Sequence, residues 1–351
     1  MKHHTLRIAV ITPLLVLLTA CSRNQPQLIQ YGISPFQDTA MPVVAQSMGL
    51  YEKARLNVQL VTLPWEDVIP SLASRGKTID LGLGSINLLL PRAQNINISG
   101  GGDIIFYYPL YVFKGAALMM HKNSGLRPVS HFLKLYPNDQ QRALREAMQQ
   151  IKGKTVGLPQ GTPYEQMLMA AFRAAGKDYR KEVDLRYVKL ADALPAFLSG
   201  QLDIAGAGVT QRTEVERYGH EVFLQMDDIG FAEIIGIVTT KHFATAHKQQ
   251  LADFIHIWFQ SIDYLMSDVD HHSAAVLSYL EKNASTKYTL DEYKKALNFQ
   301  VFPRSDKEAH ELFFEANGRY YWKRTWDIVD DYLLTSGAIK QPIPYSYFGT
   351  E

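Results

Sequence analysis

Polar and aromatic side chains follow the ends of several predicted strands, where they could bind a small molecule by hydrogen bonding, charge and stacking. Asp38 and Glu233 could pair with a ligand amine, or they could be solvated surface carboxylates. Trp65 follows one predicted strand and could stack on a flat ligand, although tryptophan in such a place often belongs to the core. The candidate binding residues are Ser34, Gln37, Asp38, Trp65, Ser85, Asn87, Gln160, Gly161, Thr162, Tyr164, Gly208, Thr210 and Glu233. These residue types predict recognition of a ligand without covalent chemistry.

Two predicted helix starts carry part of this set. Gln160–Tyr164 opens a helix, and Thr162 with Glu165 predicts a capping box at its first turn. Free N–H groups and the positive end of the helix dipole suit an anion, but Thr162 and Glu165 could occupy those donors themselves. Ser85 and Asn87 could donate to a ligand or simply cap the helix that follows them. Each helix start is therefore a candidate site with a purely structural alternative.

Groups that would support catalysis are sparse. Cys21 is the only cysteine, and the chain has neither a Gly-x-Ser-x-Gly elbow nor a His-Glu-x-x-His zinc helix. His271 and His272 stand in a polar helical stretch without a third ligand at suitable spacing, so we interpret them as surface residues. The sequence predicts no catalytic residue, no metal site and no cofactor.

Helices and strands alternate along most of the chain, which predicts an α/β protein with mostly parallel sheets covered by helices. Asp67–Gly84 and Asp192–Gly208 each read as a short helix, a glycine stop and a strand that ends in small residues. Such units recur in any α/β protein, yet the length of 351 residues also favours two lobes over one core. The predicted strands are residues 28–33, 57–63, 80–84, 116–121, 154–158, 182–188, 203–208 and 234–239, and the main helices are 41–48, 142–151 and 163–175. The later helices carry Trp258, Trp322 and Trp326, whose spacing predicts core positions.

The N-terminus is typical of a secretory signal. Lys2 and Arg7 precede the short apolar run 8–18, and small residues precede Cys21. With a cysteine at the cut site, residues 1–20 resemble a bacterial lipoprotein signal. That resemblance implies lipidation of Cys21, a tether over residues 21–27, and a membrane-anchored protein of the cell envelope that faces the periplasm or the exterior. An ordinary signal peptide and an uncleaved anchor are the alternatives.

Charge argues against nucleic acid as a partner. The chain has 36 Lys and Arg against 35 Asp and Glu, and removal of residues 1–20 takes away two of the basic ones. A nearly neutral chain offers no electrostatic footprint for a polyanion.

Three segments resemble, in order, ABC-transporter substrate-binding proteins of the nitrate/sulfonate/taurine and thiamine-pyrimidine-precursor (NMT1/THI5-like) group. They are Ala45–Tyr51 with Leu56–Val58, Gly153–Gly157 with Gly161-Thr162 and Ala191–Asp203, and Ile235–Lys241 with the helix at 251–265. The resemblance implies a two-lobed type II periplasmic-binding-protein fold with two hinge crossovers and a ligand between the lobes. Lobe one would be residues 28–115 plus 234–345, and lobe two residues 116–233. The stretch 130–150 is longer than the family's usual link.

The resemblance further implies a monomeric receptor that closes on a small polar organic ligand and passes it to an ABC permease and its ATPase. A sulfonate, a zwitterion such as taurine, or a pyrimidine-like molecule stacked on Trp65 would fit, whereas the candidate segments hold no arginine for a simple oxyanion. A ligand-sensing lipoprotein that signals to a partner is the alternative. An enzyme like the fungal pyrimidine synthase is disfavoured, because its cysteine-rich motif is absent.

Overall fold

The computed structural model describes residues 27–38, 41–73, 78–98, 103–284 and 287–349. The predicted signal segment and Cys21 lie outside these residues. Within them, no helix combines the length and the apolarity needed to cross a bilayer.

Eleven strands and seventeen helices alternate along the described chain. The strands are β1 (Leu28–Ile33), β2 (Asn57–Thr62), β3 (Leu81–Ser85), β4 (Ile104–Phe113), β5 (Ala117–Met120), β6 (Thr155–Leu158), β7 (Asp184–Tyr187), β8 (Ile204–Ala207), β9 (Glu221–Gln225), β10 (Glu233–Thr240) and β11 (Gln300–Val301). The helices are α1 (Met41–Ser47), α2 (Leu50–Lys53), α3 (Val68–Ala73), α4 (Ile86–Ile98), α5 (Val129–Leu135), α6 (Gln140–Gln149), α7 (Pro163–Ala174), α8 (Tyr179–Glu182), α9 (Leu190–Leu198), α10 (Val209–Arg217), α11 (Lys241–Ala246), α12 (Lys248–Ser267), α13 (Val269–His272), α14 (Ala274–Asn283), α15 (Leu290–Leu297), α16 (Asp306–Phe313) and α17 (Trp322–Thr335). Short 3-10 helices cover Trp65–Asp67, Met226–Ile229 and Tyr345–Tyr347.

The strands form two sheets, which confirms the predicted two-lobed α/β fold. The first sheet has the order β11-β4-β10-β3-β1-β2, and the second has the order β7-β6-β8-β5-β9. We refer to each sheet with its covering helices as the first and the second lobe. The prediction of mostly parallel sheets needs one correction. Pairings of β1 with β2 and β3, and of β6 with β7 and β8, are parallel, whereas β4, β5, β9, β10 and β11 pair antiparallel. In the first sheet β10 runs opposite to its neighbours β3 and β4, and in the second sheet β5 runs opposite to its neighbours β8 and β9.

Strands β4 and β10 are the two crossovers, and they lie side by side. Their register pairs Phe113 with Glu233 at one end and Ile104 with Thr240 at the other. The register shifts between Ile235 and Gly236, where β10 approaches β4 closely. A Cβ at Gly236 would lie 2.1 Å from the Tyr108 carbonyl oxygen, so only glycine fits this crossing.

The core of the first lobe is aromatic. The ring of Trp258 stacks on Tyr111 with centroids 5.5 Å apart. Trp326 donates its indole N–H to the Ile343 carbonyl at 3.0 Å, which satisfies its one polar atom. Trp258, Trp322 and Trp326 are all buried, as their spacing predicts.

The stretch 130–150 forms the helices α5 and α6 on the second lobe. These two helices pack on each other, and α6 also packs on α7. Asp139 accepts a hydrogen bond from the Arg142 N–H at 2.9 Å and so caps α6. The longer link therefore thickens the outer layer of the second lobe.

Candidate functional site

A cavity lies between the two lobes, at the ends of the crossover strands, and its roughly 370 Å³ of non-atom space includes solvent at the opening. The first lobe supplies the loop after β1, the 3-10 helix after β2, the end of β4 and the start of β10. The second lobe supplies the first turn of α7 and the turn between β8 and α10. The lining residues are Phe36, Gln37, Asp38, Trp65, Phe113, Tyr164, Gly208, Val209, Glu233 and Ile235. Because both lobes contribute, relative motion of the lobes would open or close the cavity.

Two buried carboxylates face this cavity. Asp38 is 5% exposed and Glu233 is 3% exposed. The Tyr111 hydroxyl donates to Asp38 Oδ2 at 2.8 Å. Among the described residues Glu233 Oε1 has no hydrogen-bond partner. The pKa of Glu233 is raised to about 8, chiefly by burial. A hydrogen bond from Ser85 lowers this pKa, and the negative charge of Asp38 raises it further.

Aromatic rings form the other walls. Trp65, Phe113 and Tyr164 are buried, and Phe36 is partly buried. Burial and then the charge of Glu233 raise the pKa of Tyr164 well above its ordinary value, so its hydroxyl stays protonated. A Cβ at Gly208 would lie 3.0 Å from that hydroxyl, so a side chain there would crowd it. Rings of this kind suit a flat or cationic ligand.

Residues 140–271 of the chain match the family model described as NMT1/THI5 like. This stretch of the chain is similar to the NMT1/THI5-like family. The resemblance noted in its sequence is thereby confirmed.

Solved structures show the fold of this chain. The periplasmic aliphatic sulphonate binding protein SsuA from Escherichia coli superposes with a TM-score of 0.65 at 15% identity, over 92% of this chain and 91% of that one. The alkanesulfonate-binding protein SsuA from Xanthomonas axonopodis pv. citri, bound to MOPS, gives 0.60 at 16% identity, over 81% and 89%. The desulfurization enzyme DSZB gives 0.57 at 10% identity, over 93% and 97%. No curated protein matches the chain by sequence. The chain thus has the periplasmic-binding-protein fold, which the structures above use both for binding and for catalysis.

Six of the candidate residues line the cavity. They are Gln37, Asp38, Trp65, Tyr164, Gly208 and Glu233. Ser34 is buried outside the lining, and Ser85 reaches the cavity only through its hydrogen bond to Glu233. Ser85 also accepts the Leu88 N–H at 3.0 Å, as the capping interpretation of this serine predicts.

Asn87 and Thr210 join the two lobes beside the cavity. Asn87 Nδ2 donates to Gln166 Oε1 at 2.9 Å, and Gln166 Nε2 donates to the Asn87 carbonyl at 2.9 Å. We call this buried reciprocal pair the amide clamp. The Thr210 hydroxyl donates to Gln37 Oε1 at 3.3 Å. These residues hold the lobes together.

The predicted capping box at the start of α7 is wrong. The Thr162 hydroxyl donates to the Pro159 carbonyl at 2.6 Å and caps nothing. Glu165 Oε2 accepts the Gly161 N–H at 2.6 Å, and its other oxygen accepts from the hydroxyls of Tyr179 and Tyr187. The Glu165 carboxylate, which the local sequence would place in the capping box, therefore binds Gly161 and two tyrosines instead.

Gln160 and Gly161 lie outside the cavity, at the rim where the lobes meet. Their carbonyls accept hydrogen bonds from Arg92 at 3.2 and 2.9 Å. Glu165 thus accepts the Gly161 N–H before the helix, while the N-cap Thr162 makes no side-chain cap hydrogen bond among the described residues.

Sequence reasoning missed Phe113, Ile235, Gln166 and Arg92. Phe113 and Ile235 belong to continuously buried strands, whose apolar runs indicate core and nothing more. Gln166 stands in the second turn of a helix, where a polar residue ordinarily faces solvent. The one available signal was its place four residues after Thr162, which puts it on the face of α7 next to the strand ends.

The amide clamp yields a first prediction. Removing either partner, in Asn87→Ala or Gln166→Ala, should leave a buried amide unsatisfied and weaken the closed arrangement by about 1–2 kcal/mol. The double variant should cost less than the sum of the single ones, because the two residues act as a pair. Ligand affinity and the radius of gyration in solution measure the effect. Gln160→Ala is the control, since only the backbone of Gln160 contacts Arg92 and its side chain is exposed. Additive losses would show that the pair does not couple the lobes.

Proposed function

We propose that this protein is the extracytoplasmic solute-binding component of an ABC importer and captures a small polar organic ligand between its lobes. The observation that carries the proposal is the cavity itself, whose lining comes from both lobes and combines aromatic walls with two carboxylates and an amide. Pockets with a few polar groups on an apolar background are the usual form of a small-molecule site.

Closure is the proposed mechanism. A ligand that contacts Trp65 and Asp38 on the first lobe and Tyr164 on the second binds the closed form better than the open one. The crossover strands β4 and β10 connect the lobes and provide the hinges about which they would move. A permease could then distinguish loaded from empty protein by shape.

The remaining parts of the proposal concern place and partners. A lipid on Cys21 would tether the chain to a membrane in the cell envelope, beside a permease and its ATPase, and the protein would act as a monomer without a cofactor. Lobe one would comprise residues 28–115 plus 234–345 and lobe two residues 116–233. The membership of the two sheets supports this division.

A ligand screen by thermal denaturation tests the proposal. A compound that binds the folded chain raises its melting temperature by mass action, with about 2.7 kcal/mol of stabilisation at a hundredfold excess over Kd. We expect a rise of several degrees with at least one compound among matched amines, alcohols, sulfonates and pyrimidines.

Trp65→Ala is the control for that screen. The variant should fold, as judged by circular dichroism, but lose the shift because the wall of the cavity is gone. If no compound raises the melting temperature and native mass spectrometry finds no co-purified molecule, the protein is not a receptor for these solute classes.

A further inference from the structure

We propose that the cavity selects ligands that carry a positively charged amine, and that Asp38 and Glu233 bind this group. The inference rests on the proposed function and names the charge of the ligand. It follows from what faces the cavity and from what is missing there.

Among the described residues that line the cavity, none is basic. Asp38 and Glu233 are both buried, and an ionised carboxylate in such a place is costly unless a cation or several hydrogen bonds accompany it. Tyr111 donates to Asp38, whereas Glu233 Oε1 has no hydrogen-bond partner within the described part of the chain. The cavity therefore offers an unfilled place for a hydrogen-bond donor with positive charge.

The aromatic walls suit the same ligand. Trp65, Phe36, Phe113 and Tyr164 surround the space with ring surface. A cation is attracted to the face of an aromatic ring, most strongly where water is excluded. An ammonium group on a flat or compact organic skeleton uses the carboxylates and the rings together.

A sulfonate would meet the opposite situation. It would bring negative charge next to two carboxylates, and none of the described residues that line the cavity carries a guanidinium or an ammonium to balance it. At the start of α7 the Glu165 carboxylate, which accepts the Gly161 N–H, adds an acidic group and no positive charge. The sulfonate-binding proteins of this fold thus share the architecture of this chain while this cavity has the opposite charge preference.

Binding of a cation should displace a proton. Ligand-free Glu233 is largely protonated near pH 7, because burial and Asp38 raise its pKa to about 8. The other ionisable groups around it are Asp38 on the loop after β1, Tyr111 on β4 and Tyr164 on α7. Both tyrosines have raised pKa values and stay neutral, so they do not compete. The ammonium takes the place of the carboxyl proton, which leaves to solvent, and no covalent bond changes.

The test compares ligands that differ only in charge. The thermal screen is run with matched triplets such as benzylammonium, benzyl alcohol and phenylmethanesulfonate, and the compounds that bind are then titrated calorimetrically in buffers of different ionisation heat. We expect shifts with ammonium compounds, release of close to one proton per ligand at pH 7, and affinity that rises up to about tenfold per pH unit between pH 6 and pH 8. Glu233→Gln should lower the affinity for the ammonium compound by about 10- to 100-fold and abolish the proton release.

Asp227→Asn is the matched control, because Asp227 is 62% exposed and lies outside the cavity, and it should leave both quantities unchanged. Shifts produced by sulfonates or alcohols as large as those with amines would overturn the charge assignment and leave the receptor function standing. Tight ammonium binding without proton release and without an effect of Glu233→Gln would overturn it too. A screen with no binding compound of any charge would instead contradict the receptor function itself.

Discussion

Replacing Gly236 with alanine is expected to destabilise the protein by more than about 3 kcal/mol and to leave little folded material. The new Cβ would lie 2.1 Å from the Tyr108 carbonyl oxygen and 2.9 Å from the Pro109 Cα. Both atoms belong to the backbone of β4, which cannot rotate away as a side chain can. Relief would require the two crossover strands to separate, and β10 is also paired with β3 on its other side. Soluble yield and thermal denaturation followed by circular dichroism measure the effect.

Ile237→Val is the matched control for this substitution. Ile237 is the next residue of β10 and is buried, so loss of one methylene group should cost only about 0.5–1.5 kcal/mol. A Gly236→Ala protein that melts within two or so degrees of the native one would show that the crossover strands tolerate a wider spacing. The hinge would then be softer than the structure indicates.

Glu233→Gln should make the ligand-free protein more stable at alkaline pH. The pKa of this carboxyl rises from an ordinary value of about 4.5 in the unfolded chain to about 8 in the folded one, chiefly through burial. Between these values the folded protein holds a proton that the unfolded chain has lost, so stability falls as the pH rises from about 4.5 to 8 and is constant above. Glutamine keeps the shape and has no proton to lose. At pH 9 the variant should therefore exceed the native protein by a few kcal/mol, and at pH 4.5 the two should be nearly equal.

Denaturant titrations at pH 5, 7 and 9, without ligand, measure this difference. The Asp227→Asn protein serves again as control, because the Asp227 side chain is largely exposed and should not follow the same trend. A gap between the native and Glu233→Gln proteins that stays constant with pH would mean that Glu233 is ionised in the folded state throughout. Some cation would then have to accompany it.

The sequence predicted those parts of the site that depend on strand ends. Asp38 and Trp65 follow predicted strands within a few residues, and Glu233 immediately precedes one. The ends of neighbouring strands lie at the same edge of a sheet whatever the details of packing. The repeated helix-Gly-strand unit likewise predicted that there are two sheets. These conclusions needed only local patterns and the rules of α/β folds.

Other parts depended on contacts that no local pattern contains. Glu165 fits a capping box by spacing. In the structure, however, its carboxylate accepts hydrogen bonds from the hydroxyls of Tyr179 on α8 and Tyr187 on β7. Phe113 lines the cavity because β4 crosses between the lobes at that residue, whereas its sequence resembles any buried strand. Gln166 belongs to the amide clamp only because the fold brings α7 next to Asn87 of α4. Tertiary arrangement decided each of these roles.

The amide clamp has a consequence for the conditions under which the lobes stay together. Amides do not titrate, and their hydrogen bonds respond little to dissolved salt, unlike the exposed pair between Lys189 and Asp67 at the cleft edge. The strength of the hydrogen bonds between Asn87 and Gln166 therefore depends little on the pH and the salt concentration of the solution. The Glu233 carboxyl further inside, whose pKa burial raises to about 8, does respond to pH. The contact that holds the lobes together is thus independent of pH and salt, whereas the carboxyl proposed to bind the ligand is not.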